Sequence, residues 1–187
     1  AGQGNPCAGA NVNSKNPIIL CVDDEATNLK LLENILVPRG YAIVSAANGA
    51  DALLKIKSQT IDLVLLDIMM PGMDGFEVCR QIKADPKLGN IPVIMISALT
   101  AKQDRIRGIE AGAEEFLSKP FDQPEVLARI KLLLKVKELN DDRERAEAAL
   151  RKSHAELDGL VQERTAELAH ANAMLQADIA ERMRAEE

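Results

Sequence analysis

The stretch from Ile61 to Gly75 constrains the fold more than any other part of the sequence. Residues 61–66 form a short apolar run rich in branched side chains, which Asp67 and then a Pro-Gly pair follow. The run is too short for a helix and predicts a buried strand. Because a lone carboxylate is costly to bury, we expect Asp67 at the C-terminal edge of the sheet, where α/β proteins bind ligands. It can then serve as a nucleophile or a metal ligand; the alternative is an N-cap of the next helix.

Three further runs also end in polar side chains. The runs and the residues that follow them are 18–22 with Asp23-Asp24-Glu25, 91–96 with Ser97, and 115–118 with Lys119-Pro120. The carboxyl ends of parallel strands meet at one edge of a sheet, so we expect these groups to share one rim.

Strands and helices alternate five times in the predicted chain. The strands are predicted at 18–22, 41–47, 61–66, 92–97 and 115–118, and the helices near 28–37, 50–58, 76–84, 102–111 and from Pro124 onward. This alternation predicts a parallel sheet that is covered by helices on both faces.

At these residues the sequence resembles the receiver domain of two-component response regulators. The matching pieces, in order, are V-D-D-E, L-L-D-I-M-M-P-G-M-D-G, I-P-V-I-M-I-S-A and G-A-E-E-F-L-S-K-P-F. The resemblance covers residues 17–139, which we take as the receiver domain. It implies a five-stranded, doubly wound, flavodoxin-like sheet of order 2-1-3-4-5.

The resemblance also implies roles for the acidic residues of the rim. Asp67 is the expected phosphoacceptor. Asp24 and Asp67 are expected to bind Mg2+ directly, together with the backbone carbonyl of Met69, and Asp23 mainly through water. Closely placed carboxylates repel one another unless a cation lies between them, which agrees with a metal site.

The remaining rim residues resemble the family's phosphoryl-binding and switch residues. Lys119 is expected to contact one phosphoryl oxygen and Ser97 to donate its hydroxyl to another. Phe116 stands at the switch position and is expected to turn inward as Ser97 moves toward the phosphoryl group. Pro120 resembles the family's cis-proline, which would aim Lys119 into the site. The alternative for Lys119 is a solvated surface lysine, that for Ser97 is a capping hydroxyl, and that for Phe116 is an ordinary core residue.

The residues two positions beyond Asp67 and Ser97 bear on the lifetime of the phosphoryl group. They are Met69 and Leu99, and neither apolar side chain can orient a water for hydrolysis. We therefore expect slow dephosphorylation.

The bulk properties exclude several classes of protein. The 187 residues are 47% apolar and have a net charge of -6 without a basic block, which argues against a nucleic-acid surface. No apolar run approaches the roughly 18 residues of a membrane span. The three cysteines (Cys7, Cys21 and Cys79) lack C-x-x-C spacing, which argues against a zinc site or a disulfide framework. We expect a cytoplasmic protein.

The two ends of the chain differ in composition from the receiver. Residues 1–16 are rich in glycine and asparagine and predict a flexible tail. Residues 140–187 contain no proline and no aromatic residue, so they cannot form a globular core. We expect the fifth helix to continue to Glu187, with Asn140-Asp141-Asp142 as a weak point.

A heptad-like apolar seam runs along this helix. Its members are Leu150, Leu157, Val161, Leu168, Ala171 and Leu175, followed by Ile179 and Met183 at steps of four. Such steps form a stutter, and Arg164 weakens the seam. The pattern predicts a parallel coiled-coil dimer; the alternative is a solvated monomeric helix.

The predicted function is that of a response regulator. The receiver would accept a phosphoryl group from a cognate histidine kinase or phosphotransfer protein and relay the signal through the dimeric helix. It would turn over no metabolite. Two alternatives stay open. The pattern from Val161 to Leu168 resembles linkers ahead of sensor kinase or nucleotide cyclase domains, so the chain could belong to a larger signalling enzyme. It could also be an adaptor whose coiled coil is the output.

Overall fold

Five parallel strands form one sheet of order β2-β1-β3-β4-β5 in the described part of the chain. The computed structural model describes residues 16–98, 102–120 and 122–185. The strands are β1 (Ile18–Val22), β2 (Ala42–Ala46), β3 (Leu63–Asp67), β4 (Val93–Ser97) and β5 (Glu115–Ser118). The helices are α1 (Ala26–Leu36), α2 (Gly49–Ser58), α3 (Gly75–Ala84), α4 (Lys102–Glu110) and α5 (Gln123–Ala185), with a 3-10 turn at Val37–Arg39.

Two apolar clusters lie on opposite faces of the sheet. Alternate residues of each central strand point into different clusters, as the two-residue period of a strand requires. One cluster packs the sheet against α2 and α3, and the other packs it against α1 and the start of α5. Every residue of β3 and of β4 is buried because helices cover both faces. The predicted doubly wound fold and its strand order are therefore confirmed.

The element boundaries lie within two residues of the predicted ones, and those of β1 and β5 are the same. The largest strand difference is in β3, which begins at Leu63 rather than Ile61, because strand pairing with β1 starts where Leu63 faces Ile19. Asp67 lies inside β3 as its last residue and is the register partner of Ile96 in β4. The helix α1 begins at Ala26, two residues earlier than predicted.

Local capping explains where two of the helices begin. The side chain of Asn48 accepts a hydrogen bond from the backbone N–H of Asp51 at 2.9 Å and caps α2. Asp74 accepts from the N–H of Glu77 at 2.8 Å and caps α3. These bonds satisfy backbone donors that the first turn of a helix leaves without partners.

The helix α5 runs unbroken through Asn140, Asp141 and Asp142, so the predicted weak point does not interrupt it. The chain separates into two compact units whose boundary lies between Glu138 and Leu139. In the first unit α5 packs on the sheet through residues such as Val126 and Ile130, which are fully buried. The predicted continuation of the helix beyond Leu139 is confirmed.

The second unit consists of α5 alone among the described residues. From residue 142 to residue 176 every side chain is exposed, including the leucines of the predicted seam. Ion pairs between residues three or four apart, such as Arg164 with Glu167 at 2.7 Å, lie along this surface. Among the described residues, no helix is long and apolar enough to cross a membrane.

The predicted tail of residues 1–16, with Cys7, lies outside the described residues except for Asn16. Leu99 and Glu187 also lie outside them. The other two cysteines, Cys21 and Cys79, are buried and free.

Candidate phosphoryl-acceptor site

Four strand ends bring the predicted site residues together. Asp23 directly follows β1, Asp67 ends β3, Ser97 ends β4 and Lys119 directly follows β5. The backbone N–H of Lys119 donates to the carbonyl of Ser97 at 2.7 Å, which ties the last two ends to each other. Asp23, Asp67 and Ser97 are buried, with exposed fractions of 1%, 5% and 5%. These three side chains lie at the edge of the sheet rather than in its middle, because each stands at or just after the last residue of its strand.

The Lys119 ammonium joins two of the carboxylates. Its Nζ lies 2.9 Å from Oδ2 of Asp23 and 3.0 Å from Oδ2 of Asp67. The peptide bond between Lys119 and Pro120 is cis, as the resemblance implied. Lys119 is therefore a residue of the rim rather than a solvated surface lysine.

Asp24 completes a group of three carboxylates. Asp23, Asp24 and Asp67 each offer an oxygen, and these oxygens lie within 4.8 Å of one another. Asp24 is exposed while the other two are buried, so the group is open to solvent on one side. Hard divalent cations such as Mg2+ prefer oxygen ligands and usually retain waters, which this arrangement permits. Met69 lies two residues beyond Asp67, and its side chain is 60% exposed.

Opposing influences act on the pKa of Asp67. Burial raises this pKa, the Lys119 ammonium and the N–H of Met69 lower it, and the charge of Asp23 raises it; the net shift is upward. Burial lowers the pKa of Lys119, but its hydrogen bonds with both carboxylates outweigh that effect and the net shift is also upward. Lys119 is therefore cationic at neutral pH, yet its charge does not fully offset the burial of Asp67.

Asn28 fixes the orientation of Asp23, which the sequence analysis missed. Its side-chain amide donates to Oδ1 of Asp23 at 3.0 Å, and the backbone N–H of Glu25 donates to the same oxygen at 2.9 Å. Oδ2 of Asp23 remains directed at Lys119. The available signal was an amide residue in the first turns of α1, five positions after the first aspartate.

Gly75 determines the path of the chain after Asp67 and was also missed. A Cβ placed on Gly75 would overlap the carbonyl oxygen of Asp67 and approach Cα of Ile68 to 2.9 Å. The N–H of Gly75 donates to the carbonyl of Ile68 at 3.0 Å, which closes the loop. Since Asp74 caps α3, the alternative of Asp67 as a helix N-cap is excluded.

Phe116 packs beneath α4 rather than pointing into solvent. The ring is partly buried against the core cluster that contains Met95. A Cβ added at Gly108 in α4 would overlap the ring, so the ring lies directly on the glycine backbone. The guanidinium of Arg105 lies 5.9 Å from the ring centroid. Met95, Gly108 and Arg105 thus enclose the residue that the resemblance identified as a switch.

Comparison with known proteins agrees with this geometry. Residues 19–131 match the model of the response regulator receiver domain family. Response regulator PleD of Caulobacter vibrioides is 43% identical over 148 residues, which are 76% of this chain and 33% of that protein. The probable transcriptional regulator ycf27 of Guillardia theta is 40% identical over 131 residues, or 70% of this chain and 50% of that protein. The chain therefore spans about a third to a half of these relatives.

Solved receiver structures extend the agreement to three dimensions. The signal receiver domain of a signal transduction histidine kinase from Syntrophus aciditrophicus is 35% identical and has a TM-score of 0.61. The alignment covers 64% of this chain and 90% of that one. A CheY-like receiver domain protein from Methanospirillum hungatei JF-1 is 28% identical with a TM-score of 0.63, covering 67% of this chain and 98% of that one. This chain belongs to the response regulator receiver domain family, whose general role is to accept a phosphoryl group from a kinase.

Proposed function

We propose that Asp67 accepts a phosphoryl group from a phosphohistidine of a cognate histidine kinase or phosphotransfer protein. A carboxylate oxygen of Asp67 attacks phosphorus while the bond between phosphorus and the donor imidazole nitrogen breaks. The nitrogen keeps the bonding electron pair, and the product is an acyl phosphate on Asp67. The protein supplies position and charge rather than further covalent chemistry.

The position of the Lys119 ammonium is the observation that supports this proposal most. It lies 3.0 Å from the nucleophile Asp67 and is fixed from the other side by Asp23. Phosphoryl transfer places negative charge on equatorial oxygens, and a fixed cation at that point stabilises it. We assign Lys119 to one phosphoryl oxygen and the hydroxyl of Ser97, on the neighbouring strand end, to another.

The three carboxylates fit a Mg2+ site. We assign Asp24, Asp67 and the backbone carbonyl of Met69 as direct ligands and Asp23 as a ligand through water. When bound, Mg2+ would neutralise charge on the phosphoryl oxygens. Burial raises the pKa of Asp67 and the Lys119 ammonium offsets only part of that shift, so a cation held between the carboxylates would further stabilise the charged form.

We assign Ser97 and Phe116 to the conformational response. Movement of Ser97 toward the phosphoryl group would alter the space that the Phe116 ring fills beside Met95 and Gly108. A phenyl ring has no hydroxyl, so its position can be transmitted only by packing. The ring already lies against α4, which makes α4 the element that would respond to it.

We propose that the signal leaves through α5 as a parallel dimer of two chains. The exposed leucines beyond Leu139 support this proposal, since they find no partner within the described second unit. The sequence leaves two other outputs open. The chain matches about a third of PleD and half of a regulator named as transcriptional, so further domains could follow the helix. A stand-alone adaptor would use the coiled coil itself.

Phosphorylation of Asp67 is tested with a small phosphodonor. The full chain is incubated with acetyl phosphate and Mg2+, and intact mass is recorded. One added phosphoryl group is expected in the wild type and in Asp158→Asn, a matched change on exposed α5, but none in Asp67→Asn or after chelation. Equal labelling of Asp67→Asn, or labelling that is insensitive to the chelator, would contradict the assignment of Asp67 as the metal-dependent phosphoacceptor.

A further inference from the structure

Leu160 and Met174 are two large apolar side chains that the predicted seam of α5 leaves unused. Their exposed fractions are 55% and 63%, close to the 62% and 59% of the seam residues Val161 and Leu175 that follow them in sequence. A solvated helix gains nothing from exposing both sets, and the narrow a/d seam of a two-stranded coil centres on only one of them. Burial of Leu160 and Met174 at the centre of a seam therefore requires a second helix–helix packing arrangement of the same surface.

Heptad spacing places these residues on a second seam. The first seam, with alternating steps of three and four, contains Leu150, His154, Leu157, Val161, Arg164, Leu168, Ala171 and Leu175. The second seam contains Leu150, Ser153, Leu157, Leu160, Arg164, Glu167, Ala171 and Met174. Every other position is common to both. At 3.5 residues per turn, the centres of the two seams differ by a rotation of roughly 50° about the helix axis.

A second copy of this chain is the partner that fits these seams. An identical parallel helix in register matches each layer with itself, so the leucines at 150 and 157 meet leucines in both arrangements. Charge opposes this pairing at one layer, where the two Arg164 side chains meet. Each Arg164 lies 2.7 Å from Glu167 of its own chain, which offsets part of that repulsion. In a parallel pair, the two Arg164 side chains lie one layer from two Glu167 side chains, so the charges partly compensate between copies as well.

We propose that α5 offers a second copy two alternative dimer seams, related by a rotation of about 50°, between which the dimer exchanges. This inference rests on the dimer that is part of the proposed function. The first seam is the more populated one, because six of its eight positions are apolar. The second seam has five and places Glu167 at a core position. A receiver that favours either state would thereby rotate whatever follows the helix.

Three consecutive residues distinguish the seams by cysteine cross-linking. Leu160 lies on the second seam, Val161 on the first, and Gln162 on the opposite face of the helix. Single cysteines are introduced at these positions and at the shared position 157, in full-length chains that carry Cys7→Ser. Cys21 and Cys79 are fully buried, and burial raises the pKa values of their thiols to about 12 and about 11, so they do not compete.

Initial disulfide rates are measured at tens of micromolar protein under mild oxidation. Position 157 is expected to cross-link fastest and position 162 slowest, with position 161 faster than 160. Two matched substitutions then shift the balance: Glu167→Leu makes the second seam more apolar and His154→Leu the first. The ratio of the rate at 160 to the rate at 161 should rise at least threefold with Glu167→Leu and fall at least threefold with His154→Leu.

The cross-linking rates distinguish failure of the second seam from failure of the dimer. If neither substitution changes the ratio of the rate at 160 to the rate at 161, or if both change it in the same direction, the second seam is overturned while the dimer stands. Position 157 cross-linking no faster than position 162 overturns the dimer itself and the second seam with it.

Discussion

Asp67 is a carboxylate whose surroundings disfavour its charge. Burial raises its pKa, and Lys119 and the N–H of Met69 offset only part of that shift. Because the pKa is higher in the folded protein than in the unfolded chain, the folded protein binds more protons between the two values. The contribution of the protonated Asp67 carboxyl to the free energy of unfolding is complete below the unfolded pKa and is lost as pH rises through the folded pKa. The ionised carboxylate therefore lowers the stability of the fold at pH 7.

We therefore expect Asp67→Asn to stabilise the metal-free protein. At pH 7 in EDTA the unfolding free energy should rise by about 1 kcal/mol, which is a few degrees in Tm. The gain should shrink as pH falls through the raised pKa of Asp67, because the wild-type carboxyl then becomes protonated. Mg2+ should raise the Tm of the wild type more than that of the variant. A variant that melts below the wild type in EDTA at pH 7 would contradict the electrostatic account.

Met69 occupies a position from which a side chain could act on the phosphoryl group. Its thioether is exposed and cannot orient a water in line with phosphorus. We expect the double variant Met69→Asn with Leu99→Glu to lose the phosphoryl group several-fold faster than the wild type, measured by intact mass after removal of the donor. Met69→Leu is the matched apolar control and should keep the slow rate. An unchanged lifetime in the double variant would refute the argument.

Most of the residues at the rim could be predicted because strand ends are visible in sequence. An apolar run that stops at a polar residue places Asp67, Ser97 and Lys119 at one edge without any distance being known. Asn28 and Gly75 could not be found in this way. Their contributions are a 3.0 Å hydrogen bond to Asp23 and a close approach to the carbonyl of Asp67, which exist only in the folded chain.

At the scale of elements, α4 and β5 are joined through one glycine. Gly108 presents bare backbone to the ring of Phe116, and a methyl group there would overlap the ring. The sequence predicted both elements, since each has its own periodicity. It did not predict their contact, because nothing in the spacing shows that residue 108 faces residue 116.

We expect Gly108→Ala to destabilise the protein by about 1–3 kcal/mol despite the higher helix propensity of alanine. In a Phe116→Ala background the same change should be neutral or stabilising, because the overlap is gone. Gly159→Ala is the matched control: nothing lies within 4 Å of its added Cβ, and it should stabilise α5 by up to about 1 kcal/mol. Chemical denaturation of the wild type and of the four variants, including Phe116→Ala alone, gives these free energies of unfolding. Equal costs of Gly108→Ala in both backgrounds would disprove the coupling.

At the scale of the whole molecule, one helix belongs to two compact units. Up to Glu138 the structure explains α5 by burial, with Val126 and Ile130 in the core. Beyond Leu139, helix propensity and exposed ion pairs are the stabilising contributions within the described chain, and an isolated polar helix gains little stability from either. The sequence predicted the continuation of the helix because no proline follows Pro124. A partner helix leaves only an indirect trace in one chain, namely apolar residues at heptad spacing.

The exposed leucines of α5 beyond Leu139 predict a dimer. Burying a leucine contributes about 1.5–3 kcal/mol, and several leucines per helix would be buried in a dimer, against which the Arg164 layer counts unfavourably. We expect sedimentation to show a dimer at tens of micromolar that becomes a monomer when the residues after Leu139 are deleted. Leu157→Glu should weaken the dimer at least tenfold, while Gln162→Glu, the same charge on the opposite face, should not. A full-length monomer would rule out the coil, and a dimer that survives the deletion would put the interface on the receiver.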